Sequence, residues 1–370
     1  MAKRYVKKKS GNNGKKVIIV LVAVLILAVI AGTAYFYYNK NVELPKIGVN
    51  GTLQNTTKTK AGTESRNKNP LTGLDVDAEY VKNRPYAIMI NNIDLAQPLL
   101  GVSQADVMYE CLVEGGITRI LAVFQTPKDV AQIGSIRSAR PDFINIAQGL
   151  DAIYFHIGGS SQAQQMLENT SIDSFDLGNY TDMMWRDQQR MNNLGPEHSA
   201  LTSGQKLIAG VLDDATRTKM KSSYTFKQEF SNDKSQVLAG VDAKNITATF
   251  SNYKNTNFLY DEDEKEYLVY QFGTPQMDAN AGVQNARKNV IILNVNSYQI
   301  DDEGHMGMDL VGHSGDGKYI SMGKSIDIKW SKTSETEPIR YKTSDGQDLI
   351  MIPGQSYICT IPLDESIDIK

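Results

Sequence analysis

Cysteine is almost missing from this sequence: Cys111 and Cys359 are the only two in 370 residues. Two thiols build no disulfide framework, and without a CxxC or a His/Cys cluster a structural zinc site is not expected. Each cysteine lies in an apolar, strand-like run ("VMYECLV", "QSYICTI"). There a free thiol acts as a small buried hydrophobe, and a single disulfide between the two is the alternative. No HExxH, nucleophile elbow or triad-like spacing occurs, and no local feature activates Ser135, Ser138, Ser160 or Ser161. A formal charge of −3 carries no global basic bias, which argues against a general nucleic-acid binder.

Acids are absent from the first sixteen residues, which hold seven Lys or Arg. Charge of either sign is then absent from Val17 to Tyr38. As a helix this run would be roughly 33 Å long, enough to cross a bilayer core. Tyr35, Tyr37 and Tyr38 stand where an interfacial aromatic belt belongs. We expect a basic cytoplasmic tail (1–16) and a single-pass transmembrane anchor (17–38), with the rest of the chain outside the cell membrane. A cleavable signal peptide with Gly32-Thr33-Ala34 as its site is the alternative. Residues 39–68 carry almost no large apolar side chain after Val49 and read as a flexible tether.

From 69 to 215 strand and helix patterns alternate. "YAIMINN" is a covered strand, "ADVMYECLV" and "ITRILAVFQ" flank a hairpin turn at "EGG", and "VAQIGSI" is a further strand. "PDFINIAQGL" is a helix with Pro141 in its first turn, "DAIYFHIGG" a strand, and "SSQAQQMLEN" a helix capped by Ser160 or Ser161. From 216 to 370 short strands separated by turns predominate, "GHSGDGK" reading as one of the turns. The expected fold is an α/β mixed-sheet domain followed by a β-rich domain, after an N-terminal transmembrane helix.

Four places carry candidate chemistry. With a two-residue turn at Gly115-Gly116, Glu110 and Arg119 would project from the same side of the hairpin as diagonal neighbours, either as a buried salt bridge or with Glu110 holding Arg119 in a cleft. "HIGGSS" sets His156, Gly158, Gly159 and Ser160 at a strand end and helix start, where free N–H groups favour an anion, although the stretch matches neither a Walker nor a dinucleotide fingerprint. "WRDQQRMNNLGPEHS" puts Arg186 and Arg190 on one helical face with Asp187 beside them and His198 in the following loop. "SIRSARPDF" adds Arg137, Ser138 and Arg140 at a strand-to-helix turn. The planar arginine fork suits phosphate and carboxylate. His305 and His313 stand too isolated in the sequence for a metal site.

The runs "NPLTGL", "RPYAIMINN", "ADVMYE", "EGGITRILAVFQ", "IGSIRSARPDF" and "DAIYFHIGGS", with the later Arg-Asp…Arg…His segment, together resemble the YerB-like bacterial envelope lipoproteins. The resemblance spans roughly 69–365 and implies an α/β domain and a β-rich domain outside the membrane, with no established reaction to carry over. This chain departs from it in three places. It has no lipobox cysteine near the anchor, Pro196-Glu197-His198-Ser199 stands where Pro-His-Asn is usual, and His305 stands where a Gly-Arg pair is common.

The expected function is a membrane-anchored envelope protein that binds an anionic wall glycan or lipid-linked precursor through an arginine cleft, without cofactor. Envelope proteins are further possible partners, and nucleic acid is not expected. The alternative is a metal-assisted phosphotransferase or hydrolase, with Asp142 or Asp187 helping to hold a divalent metal. It is suggested by an overall layout like that of the LytR–CpsA–Psr transferases.

Overall fold

The computed structural model describes residues 67–224 and 228–370. The basic tail, the apolar run and nearly all of the tether lie outside the described residues, and among these no helix is long and apolar enough to cross a membrane.

One large mixed sheet organises the molecule. Its first-half strands are β1 (Tyr86–Asn92), β2 (Val107–Leu112) and β3 (Thr118–Phe124). The short β4 (Ile133–Gly134) stands apart from that sheet, which continues with β5 (Ile153–His156) and β6 (Ser174–Asp176). Outside the large sheet, β7 (Trp185–Arg186) and β8 (Ala200–Thr202) join β4 in a small sheet of order β4-β8-β7. The second half adds β9 (Val241–Asp242), and then β10 (Asn245–Thr249), β11 (Asn255–Asp261) and β12 (Glu266–Gln271). It ends with β13 (Asn289–Val295), β14 (His313–Ser321), β15 (Lys324–Lys332), β16 (Ser356–Pro362) and β17 (Ile367–Ile369).

The large sheet runs β9-β15-β14-β13-β16-β2-β3-β1-β5-β6, so strands of both halves share it. The join is parallel: Val107–Cys111 pairs with Ser356–Thr360. All seven residues of β1 and of β16 are buried, as expected of strands covered on both faces. On one face Ile88, Met108, Ile120 and Phe155 pack with Ile246, Phe258 and Val269 of the smaller sheet built on β10–β12. On the other, Met89, Tyr109, Leu121 and Tyr154 pack under helices α1 (Pro141–Gly149) and α2 (Ser161–Asn169). Pro141 starts α1, and the Ser160 hydroxyl caps α2 by accepting from the Ala163 N–H at 3.2 Å.

Two expectations need correction. "GHSGDGK" is not a turn: from His313 it is the first part of the nine-residue strand β14, paired with β15. "VAQIGSI" contributes only the two residues of β4 as strand. The cysteines are free; Cys111 packs on the helix-covered face and Cys359 on the opposite one, so the sheet itself separates them.

Candidate functional site

Strands β1 and β5 pair in parallel from Tyr86 to Ile88. Beyond that, the segment Ser135–Ala139 runs between their carboxyl ends. The Arg137 N–H donates to the Met89 carbonyl at 3.0 Å, the Ile157 N–H to the Arg137 carbonyl at 3.1 Å, and the Ala139 N–H to the Gly158 carbonyl at 2.9 Å. Arg137 and Ser138 therefore occupy the crevice beyond the ends of two parallel strands, the usual ligand position of open α/β sheets.

Behind them lies a cluster organised by Glu114, in the turn between β2 and β3. Arg140 donates through Nε and Nη2 to the Glu114 carboxylate at 3.0 and 2.7 Å. Arg119 donates through Nη2 to the same carboxylate at 2.6 Å and through Nη1 to the Ser138 carbonyl at 2.8 Å. Burial, reinforced by Arg140, pushes the Arg119 guanidinium down to about 9. Burial alone would raise the Glu114 carboxyl, but Arg119 and Arg140 outweigh it and hold the group below the usual range.

In front, Arg137, Ser138 and Arg186 line a cavity of about 250 Å³ together with Ile136, Ile157, Pro196 and Glu197. Arg137 donates through Nη1 to the Glu197 carbonyl at 3.2 Å, while its Nε is buried without a partner. Arg186 is held by the Pro196 carbonyl at 2.6 Å. His198, buried below, meets Asn91 of β1 at 2.8 Å. The buried His156 meets the Gly158 carbonyl through Nδ1 at 2.8 Å, and burial lowers the pKa of both rings. Gly158, at φ 61, gives its N–H to Asp176 at 3.1 Å, and Gly159 bridges Ala139.

Several sequence-expected arrangements do not form. The turn holds three residues, Glu114 to Gly116, so Cys111, not Leu112, faces Arg119 and Glu110 faces Ile120. This one-residue shift puts Glu110 and Arg119 on opposite faces of the sheet. Arg186 and Arg190 do not share a helix face. Arg186 is in β7, and Asp187 caps α3 (Gln188–Leu194) by accepting from the Arg190 N–H at 2.7 Å. Arg190 turns away to the His198 and Ala96 carbonyls at 2.8 and 2.9 Å. Asp142 is buried and accepts from the Met308 N–H at 3.4 Å, away from the Asp187 cap. His305 is less isolated than its sequence position suggests, since Asp301, Glu303 and His305 bring ligand atoms within 4.8 Å of one another. His313 is exposed, its ring meeting the Val311 carbonyl.

Glu114, Glu197 and Asn91 complete the site and were not singled out from the sequence. Glu114 lies in the "EGGITR" hairpin, and only the three-residue turn reveals its reach to Arg119 and Arg140.

Residues 71–218 match the N-terminal domain, and residues 246–358 the C-terminal domain, of the family described as "Protein of unknown function (DUF3048)". The chain belongs to this YerB-like family. It is 28% identical over 308 residues to the Bacillus subtilis (strain 168) protein named "Putative lipoprotein YerB", covering 81% of this chain and 88% of that one. The crystal structure of Bacillus subtilis YerB superposes with a TM-score of 0.71 at 28% identity, over 81% of this chain and 99% of that chain.

Proposed function

We propose that this protein is an extracytoplasmic envelope protein that binds an anionic ligand at the Arg137–Arg186 cavity. The ligand would be a phosphate- or carboxylate-bearing wall glycan or lipid-linked precursor. The observation that carries this reading is Arg137: it lines the cavity with its Nε buried and unpaired. A buried donor without an acceptor costs about 1–3 kcal/mol, which an incoming oxyanion would recover. Charge balance points the same way. Arg119 and Arg140 share the single Glu114 carboxylate, while the hydrogen bonds of Arg137 to Glu197 and of Arg186 to Pro196 go to backbone carbonyls.

The envelope location rests on the uncharged run Val17–Tyr38 behind its basic start, and on the lipoprotein name of the relative. Because no cysteine precedes Cys111, the run itself would be the anchor, with residues after Asn39 outside. Protease treatment of intact cells should digest the part after the run and spare a tag placed before it.

Isothermal titration of the full-length protein against polyprenyl phosphate and against muropeptides tests the ligand. We expect micromolar binding to one of them, weakened at least tenfold in Arg137→Ala and in Arg186→Ala. Unchanged affinity in both variants would remove the proposal.

A further inference from the structure

Away from the arginine cavity, between the large sheet and the smaller one, three chemically complementary side chains meet in full burial. The Lys254 ammonium lies 2.8 Å from Oε1 of Glu110, with both side chains 0% exposed. The Asn92 carboxamide, also 0% exposed, donates through Nδ2 to that same Oε1 at 2.8 Å. The rings of Phe272 and Phe250 stand 5.2 and 5.5 Å from Nζ and help to keep water out. An amine, a carboxamide and a carboxyl able to carry a proton between them are thus gathered on one oxygen atom.

We propose that Asn92 and Lys254 are a site of self-catalysed crosslinking, joined by an amide bond between Lys254 Nζ and Asn92 Cγ with Glu110 as proton carrier. Lys254 first passes a proton to Glu110. The other two Nζ hydrogens are held by the Asn255 carbonyl and the Thr256 hydroxyl, at 2.8 and 2.7 Å, so the third is given to Oε1, the same oxygen that holds the Asn92 carboxamide. The Nζ–Cγ bond forms, the Cγ–Nδ2 bond breaks, and Nδ2 leaves as ammonia with the proton returned by Glu110, whose carboxylate then takes the second Nζ proton and leaves a single amide N–H. No oxidant, reductant or outside reactant is required. Negative charge develops on Asn92 Oδ1, which already faces the Gln97 amide donor at 3.4 Å.

The surroundings favour the step. Burial lowers the Lys254 pKa, which brings the free amine within reach. Thr118 and Tyr357 donate to Glu110 at 2.6 and 2.7 Å and fix its carboxyl in place for the transfer. The product would tie the end of β1 to the start of β11, linking the two family domains of a chain whose cysteines cannot pair.

Mass spectrometry of the full-length protein decides the matter. We expect an intact mass one ammonia below that of the sequence, and after proteolysis a branched peptide containing Asn92 and Lys254. Glu110→Gln and Lys254→Met should restore the full mass, and the wild-type measurement stands even if either variant folds poorly. An unmodified wild-type mass would overturn the proposal. So would an ammonia deficit that maps elsewhere, for example to a succinimide at Asn50-Gly51, which mild base opens and an amide crosslink survives.

Discussion

Glu114 and Arg140 meet in a two-point contact, Nε and Nη2 on the two carboxylate oxygens at 3.0 and 2.7 Å, with Arg119 on the same carboxylate. One anion in a hairpin turn thereby pairs with guanidinium groups from two different segments.

Glu114→Gln should therefore destabilise the fold out of proportion to its position in a turn, because it strands the buried Arg119 charge. We expect a loss of about 2–3 kcal/mol at pH 7. That is below the range for a fully buried pair, since Glu114 keeps 25% of its side chain exposed. The folded-state pKa of Glu114 is depressed, so its contribution is present above the ordinary glutamate pKa and is lost as pH falls through the lower folded value. Urea unfolding of both proteins should show a gap at pH 7 that narrows on acidification into that range.

Asp142 works in the opposite direction. Burial raises its carboxyl from the ordinary aspartate range to about 7, so the folded state binds this proton more tightly than the unfolded chain. Its effect on stability is most favourable below the unfolded pKa and declines as pH rises toward the folded one. Asp142→Asn should remove that decline: between pH 5 and pH 8 the variant's urea midpoint should fall less than that of the wild type.

The thiols offer a third test. Burial raises both Cys111 and Cys359 well above the ordinary thiol range. Both should stay silent toward a maleimide in the native state and react together on denaturation without reductant. A disulfide in the unreduced protein would contradict their placement on opposite faces of the sheet.

Much of the scaffold was legible because its signals are local. "YAIMINN" declares a strand covered on both faces, Pro141 opens a helix, and Ser160 caps the next. The misread parts turn on single residues. Counting two turn residues instead of three transposed every side chain of the hairpin and created a Glu110–Arg119 pair that does not exist. Reading Asp187 as a helix cap would have kept Arg186 off the helix. The partnership of Glu110 with Lys254 has no local signal, since the two lie 144 positions apart and meet only when the sheets stack. The arginines were recognisable as a group, but Glu114's grip on two of them emerged only from the fold.

Strand β16 sets a condition on how this protein can be made. Ser356–Pro362 fills the slot between β13 and β2, with Val107–Cys111 along one of its edges. A chain that emerges from its start, whether from a ribosome or through a translocation channel, therefore exposes an unpaired β2 edge until Ser356–Pro362 has appeared. Its first half must wait incomplete for most of that time. Factors that shield open sheet edges should matter more to the yield of this protein than its modest size suggests.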